Sequence, residues 1–430
     1  MTVHHPSEVR FVAAPSAWAS AGVQPITPFG VTAAITFAMF LCLLFLLQLG
    51  SLGAAGGMAM AAALALLNRR RLGAILGARA FLFLVPALCL LSALWSEAPG
   101  ASVWSSLEMA ATVAAALVLS VTDRRTELLA GIAAAFAVYA GVSLVFGHTA
   151  GAGTQWAAFS GLNGGKNLMA EIASTGILCS AGFMAAAAAE RRLAWLPAIA
   201  AAGLAALVEI YILILAKSAG AIIALGMGAA ILSALLVVSR FSRAWRSTVV
   251  GAVGLVFTLV AAFHTVVASE VSSFALNAFH KDPTLTGRTY LWYRADKMIA
   301  EKPMLGRGYN AFWREGNPDA EGLWRFGGID NKSGFNFHNT GVEVLMQFGW
   351  VGAFVLAAIV LVGVIFLVGR FFRRPDAVTC FWLAIIAFEL TRMFYESLGP
   401  YPFYFSSILI VAALGSAFHR AAPPRHPVRS

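Results

Sequence analysis

Val31 to Leu49 reads VTAAITFAMFLCLLFLLQL, a run without one charged side chain. A bilayer core about 30 Å thick is crossed by about 20 such residues in α-helical form. The run therefore predicts a transmembrane helix. No basic segment directly precedes it, so it reads as a retained helix and not as a cleaved signal peptide. Residues 1–30, with His4, His5 and four prolines, read as a loose tail. Working outward, similar apolar runs recur near 51–67, 73–94, 104–121, 127–147, 168–189, 193–215, 219–238, 247–268, 339–369, 377–396 and 402–419. Composition agrees. The 430 residues are 60% apolar before their 40 glycines are counted and only 12% charged, against roughly 45–50% apolar with glycine and 25% charged in soluble domains. Soluble enzymes, disordered chains and small secreted scaffolds are excluded. The apolar runs are continuous, whereas an outer-membrane barrel alternates with period 2.

The net charge of +10 does not point to nucleic acid. The arginines fall in short clusters between apolar runs, the pattern of loops retained in the cytoplasm. With both termini inside, Arg10, Arg69–Arg71, Arg124–Arg125, Arg191–Arg192, Arg240/Arg243/Arg246, Arg370/Arg373/Arg374 and Arg420/Arg425/Arg429 are all cytoplasmic, while the short outer loops hold only Lys166 and Lys217. Residues 269–337 break the pattern. They form one long hydrophilic outer loop with nine basic and eight acidic residues, and a loop of this length reads as a small functional domain. Within it, Arg288–Glu301 is expected to be helical, capped by Thr284 or Thr286 and stopped by Pro303. The divisions are then a tail (1–30), a nine-helix membrane region (31–268), the outer loop domain (269–337), a three-helix membrane region (338–419) and a tail (420–430). A two-fold-repeat transporter would place its long connection between equal halves; here the spans divide nine to three.

Charges inside apolar spans cost about 2.5–3.5 kcal/mol each on insertion scales. Glu389 and Arg392, three apart on one helix, are expected to pair with each other. Glu108 and Glu209 read as protonated or solvated structural groups or as functional ones. Lys217, in a short outer turn, is an anchor or a substrate contact. At the outer face, Gly164-Gly165-Lys166-Asn167 opens a helix whose N–H groups and lysine suit an anion. Arg288, Arg294 and Arg307 carry forks that match phosphate oxygens. His338 begins the tenth span, where a helix N-terminus favours the neutral imidazole. Cys42, Cys89, Cys179 and Cys380 lie within apolar runs without metal-ligand spacing. Nucleotide loops, zinc helices and nucleophile elbows are missing from the sequence. Asp319-Ala-Glu321 is the one acidic triplet, and it lies in the outer loop. The expected chemistry therefore uses a membrane-borne activated substrate, without metal or cofactor.

Asp282-Pro-Thr-Leu-Thr-Gly-Arg288-Thr-Tyr-Leu-Trp292 and Glu301-Lys-Pro303-Met-Leu-Gly306-Arg-Gly308-Tyr-Asn-Ala-Phe-Trp313 resemble the O-antigen ligase/polymerase superfamily, most closely its exopolysaccharide-polymerase branch. His338-Asn339 and Gly349-Trp-Val-Gly352 match that family's His-Asn motif and its Gly-x-x-Gly follow-up. Ala93-Leu-Trp-Ser96 and Gly165-Lys166-Asn167 are similar to its earlier blocks. The likeness runs from about residue 80 to 400. Where many members have Ser-Arg after the seventh span, this chain has Lys217-Ser218, a point charge in place of a fork.

The resemblance implies an all-α polytopic integral membrane protein of about 12 transmembrane helices with one large periplasmic loop, in a bacterial inner membrane. It implies a metal-independent, inverting glycosyltransferase whose donor is an oligosaccharide on polyprenyl pyrophosphate, polymerising repeat units. Arg288 and Arg307 would hold the pyrophosphate, with Lys166 and Lys217 helping from the bundle. His338 would orient or deprotonate the acceptor, or hydrogen-bond the leaving group. Asn167, Asn339 and Glu343 would line the substrate cavity. Partners implied are the lipid-linked glycan, membrane lipid, a flippase and a chain-length regulator. The rival readings are ligation of O-antigen to lipid A core and a transporter or flippase.

Overall fold

The computed structural model describes residues 30–75, 77–152, 157–249, 251–252, 288–330, 332 and 335–419. The main helices are α1 (Val31–Leu44), α2 (Ser51–Leu67), α3 (Leu84–Leu91), α4 (Pro99–Val121), α5 (Arg125–Phe146), α6 (Lys166–Glu190), α7 (Leu196–Ala216), α8 (Ala219–Val238), α9 (Arg288–Glu301), α10 (Pro318–Gly327), α11 (Thr340–Arg373), α12 (Ala377–Arg392) and α13 (Phe405–Ser416). Most of the expected span at 247–268, and the Thr284 and Thr286 caps, lie outside the described residues.

The chain is a multi-pass helical membrane protein. Six helices among the described residues are long and apolar enough to cross a membrane, and four shorter apolar helices accompany them. The expected twelve full spans are thus not all seen as unbroken helices. The run 31–49 is interrupted at Phe45, 73–94 resolves into α3 flanked by 3-10 turns, and 402–419 shortens to Phe405–Ser416 after Pro400 and Pro402. Proline removes a helix donor and clashes with the preceding turn.

α6 is the axis of the bundle, packed on α5, α7, α8 and α12, while α13 lies on α4. Its apolar window is 67% buried, against 22% for those of Leu193–Ala216 and α11. An equally apolar helix left open on most of its surface is one that faces lipid. An antiparallel hairpin, β1 (His148–Ala150) with β2 (Ala158–Gly161), leads into α6 and was not foreseen in an all-α reading.

The basic loops expected on one side do meet at one end. Arg71 pairs with Asp123 at 2.7 Å, and Asp376, the N-cap of α12, takes Arg125 at 3.0 Å and Arg370 at 3.2 Å. At the other end, α9, α10 and the start of α11 carry a separate small core of Leu291, Ala295, Met298, Phe312, Leu323, Trp324, Phe337 and Met346. α9 matches the expected helix at Arg288–Glu301. α10 starts at Pro318, a favoured first position, behind an Asn317 cap.

Candidate active site

α11 begins with Asn339 as its cap, the side chain accepting from Val342 N at 3.1 Å. That engages the Asn339 oxygen expected to meet substrate. His338 precedes the cap with φ +49 and donates its N–H to Asn336 Oδ1 at 2.8 Å, a tight turn that turns the ring out of the helix line. Two ties hold this turn. Trp292 of α9 donates Nε1–H to the Phe337 carbonyl at 2.8 Å, and Phe337 N–H donates to Glu343 Oε2 at 3.2 Å.

Glu343 corrects an expectation. It is 1% exposed, and it also accepts from Trp313 Nε1 at 3.2 Å and Gln347 Nε2 at 3.1 Å. Its carboxylate is consumed by protein donors beneath the histidine turn, so it supports that turn and does not line the cavity.

Glu396 was not foreseen. It lies past the end of α12, and its backbone carbonyl accepts from Thr340 Oγ1 at 2.9 Å, lacing it to the start of α11. One carboxylate oxygen sits 2.9 Å from His338 Nδ1 and the other 3.2 Å from Arg288 Nη2. Burial alone would raise its pKa, but the His338 hydrogen bond and the neighbouring His338 and Arg288 charges outweigh that and hold it below its ordinary value. An ionised Glu396 only accepts, so the hydrogen on this bond is His338 Nδ1–H, and in the neutral imidazole that leaves the lone pair on Nε2.

Asn167, Arg288, Leu291, Phe326, Gly327, Phe335 and His338 line one cavity of about 340 Å³. Three expected site residues, Asn167, Arg288 and His338, thus share a wall. Ser218 Oγ donates to Asn167 Oδ1 at 3.3 Å, bringing the start of α8 to the start of α6. Lys217 closes α7 in the left-handed conformation (φ +51) and is exposed; Lys166 lies within electrostatic reach of both Lys217 and Arg288. Of these cations only Arg288 lines the cavity; Lys166 and Lys217 stand outside its lining but within electrostatic range of one another.

Arg307 is a second correction. Its side chain is 9% exposed and bound to Glu97 at 2.8 Å and Glu301 at 2.5 Å, while its backbone N–H donates to Met346 O at 2.8 Å. It bolts the loop onto α11, with both terminal nitrogens on Glu97 and Glu301 and its Nε buried without a partner among the described residues. Asp319 pairs with Arg294 at 3.3 Å and Glu321 Oε1 accepts from Gly316 N at 3.0 Å, so both carboxylates of the triplet have partners at the start of α10. No group of three or more metal-ligating side chains is found among the described residues.

Within the bundle, Arg392 does pair with Glu389 at 2.7 Å. It also meets Glu171 at 2.5 Å, a partner the sequence reading passed over. Glu171 in turn accepts from Tyr404 and Ser406. Glu209 is fully buried and neither carboxylate oxygen has a hydrogen-bond partner among the described residues.

The family profile described as O-Antigen ligase matches residues 204–357. The chain is 31% identical over 319 residues to "Exopolysaccharide production protein ExoQ" of Rhizobium meliloti (strain 1021), covering 71% of this chain and 70% of that protein.

Proposed function

Since the chain belongs to the O-antigen ligase/polymerase superfamily, on its exopolysaccharide-production branch, we infer that it polymerises lipid-linked polysaccharide repeat units. The observation that carries the reading is the Glu396–His338 pair set beside Arg288 in one cavity. The arginine clusters gathered at the opposite end of the bundle support a cavity that opens to the periplasm of the inner membrane, with both termini in the cytoplasm.

The donor is a glycan on polyprenyl pyrophosphate and the acceptor a sugar hydroxyl of a second lipid-linked glycan. His338 Nε2 takes the hydroxyl proton while Glu396 holds Nδ1–H and stabilises the imidazolium that forms. The acceptor oxygen bonds to the anomeric carbon. The bond from that carbon to the phosphate oxygen breaks on the opposite face, inverting the centre and leaving the electron pair on the lipid pyrophosphate. Arg288, Lys166 and Lys217 meet the charge that grows there. Asn167 helps fix the donor at the mouth of α6. A flippase supplying the donor and a regulator of chain length are the partners this activity calls for.

The test is reconstitution in liposomes with a polyprenyl-pyrophosphate oligosaccharide as donor and acceptor. A ladder of repeat multiples is expected, lost in His338→Ala and Arg288→Ala. A single transfer onto added lipid A core with no ladder would make the protein a ligase. No product with either acceptor, from folded protein and native donor, would favour the transporter reading.

A further inference from the structure

Three aromatic side chains beside the His338 cavity have no part in the reaction above. Tyr290 of α9 and Phe326 of α10 are 41% and 50% exposed, yet their rings pack on each other with centroids 4.3 Å apart and planes tilted by 40°. Phe326 lines the cavity that holds His338. On the other side of the last turn of α10 lies a second cavity of about 410 Å³, lined by Glu321, Trp324, Arg325, Gly328, Asp330 and Lys332 among others. Both volumes fall in the roughly 300–1,000 Å³ range of small-molecule sites. Trp324 is only 3% exposed, and its Nε1–H has no hydrogen-bond partner among the described residues. A buried indole N–H ordinarily finds an acceptor, and leaving it without one is costly.

These features fit one chemistry. A pyranose ring offers an apolar C–H face to an aromatic ring and hydroxyls round its edge. The exposed Tyr290–Phe326 pair supplies the stacking surface, and Trp324 lines the neighbouring cavity with its N–H sealed from solvent. Glu321, Arg325, Asp330 and Lys332 balance in charge and offer both donors and acceptors, as hydroxyl-rich neutral sugars require. We propose that Tyr290, Phe326 and Trp324 form a glycan subsite that holds the sugars of the acceptor chain behind the hydroxyl presented to His338. The subsite rests on the glycosyl-transfer reading for its place in the reaction.

Two measurements test it. In the first, the oligosaccharide of two repeats released by mild acid from the host's lipid-linked glycan is titrated into detergent-purified full-length protein by calorimetry, which needs no turnover. Binding by wild type is expected, weakened about tenfold by Tyr290→Ala or Phe326→Ala and by Trp324→Phe, which replaces the indole with a smaller ring and deletes its N–H. In the second, the reconstituted enzyme is assayed with the acceptor varied. The same substitutions raise the acceptor KM about tenfold, leave kcat at saturating acceptor within about twofold, and shorten the product ladder. Absence of binding by wild type, or unchanged binding and KM in all three variants while wild type polymerises, overturns the subsite and leaves the polymerase reading intact. Binding that the variants weaken, in a protein that never transfers, overturns the polymerase reading and leaves a glycan site.

Discussion

Glu396 reaches back 58 residues to place Oε2 at 2.9 Å from His338 Nδ1, while its Oε1 takes Arg288 Nη2 at 3.2 Å. One carboxylate therefore fixes both the proposed base, through its Nδ1, and the guanidinium proposed to bind phosphate. Glu396→Gln keeps the shape and removes the charge. It is expected to slow transfer about 10- to 100-fold, part of the 10²–10⁴ that a positioned base contributes. Wild-type turnover in this variant would detach the histidine from Glu396.

The same carboxyl carries a pH signature. Its folded-state value lies below the ordinary 4.5, so it contributes stability that is present above that value and lost as pH falls through the folded one. Thermal unfolding in detergent at a series of pH values is expected to show a shallower acid decline below about pH 4.5 in Glu396→Gln than in wild type. Identical acid limbs would show that the pairing does not form in solution.

Arg288 serves through its fork, with one arm on Glu396 and other donors toward the cavity it lines. Lysine keeps the charge and loses the second arm. Arg288→Lys is expected to raise the KM for lipid-linked donor about tenfold or more, in line with the roughly 1.5–3 kcal/mol of a hydrogen bond to a charged group. Donor titration in liposomes reads this directly, and an unchanged donor KM would place the pyrophosphate elsewhere.

Much of this site was legible in the sequence, and the misses share a cause. His338, Arg288 and Asn167 stand in short motifs beside helix starts, where a polar residue at the edge of an apolar run asks for an explanation. Glu396 stood at the edge of the expected span 377–396 and read as its end. Its signal was that it is the one charged side chain between Phe394 and Phe403, in a stretch broken by Gly399, Pro400 and Pro402. Glu171, inside the expected span 168–189, was not among the intramembrane charges singled out, because its partner Arg392 lies 221 residues away in sequence. Arg307 and Glu343 were given to substrate because charge type and spacing do not report whether protein partners already occupy a group. Only packing shows that Arg307 is consumed by Glu97 and Glu301. The helix breaks at Phe45 and within 73–94 are invisible to an apolar count for the same reason.

That assignment of Arg307 is open to a stability test. Breaking a buried ion pair costs about 3–5 kcal/mol, and less here because Glu301 remains 64% exposed. Arg307→Met is expected to lower unfolding stability by about 1–3 kcal/mol with donor KM within about twofold of wild type. A raised donor KM without a change in Tm would restore Arg307 to the pyrophosphate.

Gly349 bends α11 with φ +61 and ψ −166, a conformation open essentially to glycine alone. The bend frees Trp350 N–H and Val351 N–H to bind the Pro303 and Met304 carbonyls at 2.8 and 3.1 Å, and a Cβ on Gly349 would overlap the Met304 backbone. Gly349→Ala is expected to destabilise the protein by about 1–3 kcal/mol or more and to loosen the loop that Arg307 bolts down. Protease sensitivity of the 303–310 segment, with Tm in detergent, reads both effects. Wild-type values for the two would show that the bend is not required.

Glu209 separates enzyme from transporter. It sits inside the bundle with no exposure and no partner for either oxygen among the described residues, against Gly176, where a Cβ would overlap its carboxylate. A carboxylate that moved protons or ions would be indispensable there, because intramembrane charge is costly and is retained where it works. In the polymerase reading the reacting groups are His338, Glu396 and Arg288 at the mouth, and Glu209 is a structural burden. An unsatisfied buried polar group costs about 1–3 kcal/mol, so Glu209→Met is expected to raise unfolding stability by about that amount. Polysaccharide output in cells carrying Glu209→Met should then stay near wild type while His338→Ala abolishes it. The reverse pattern, polymer lost with Glu209→Met and retained with His338→Ala, would overturn the enzyme and make the buried carboxylate the centre of a transport path.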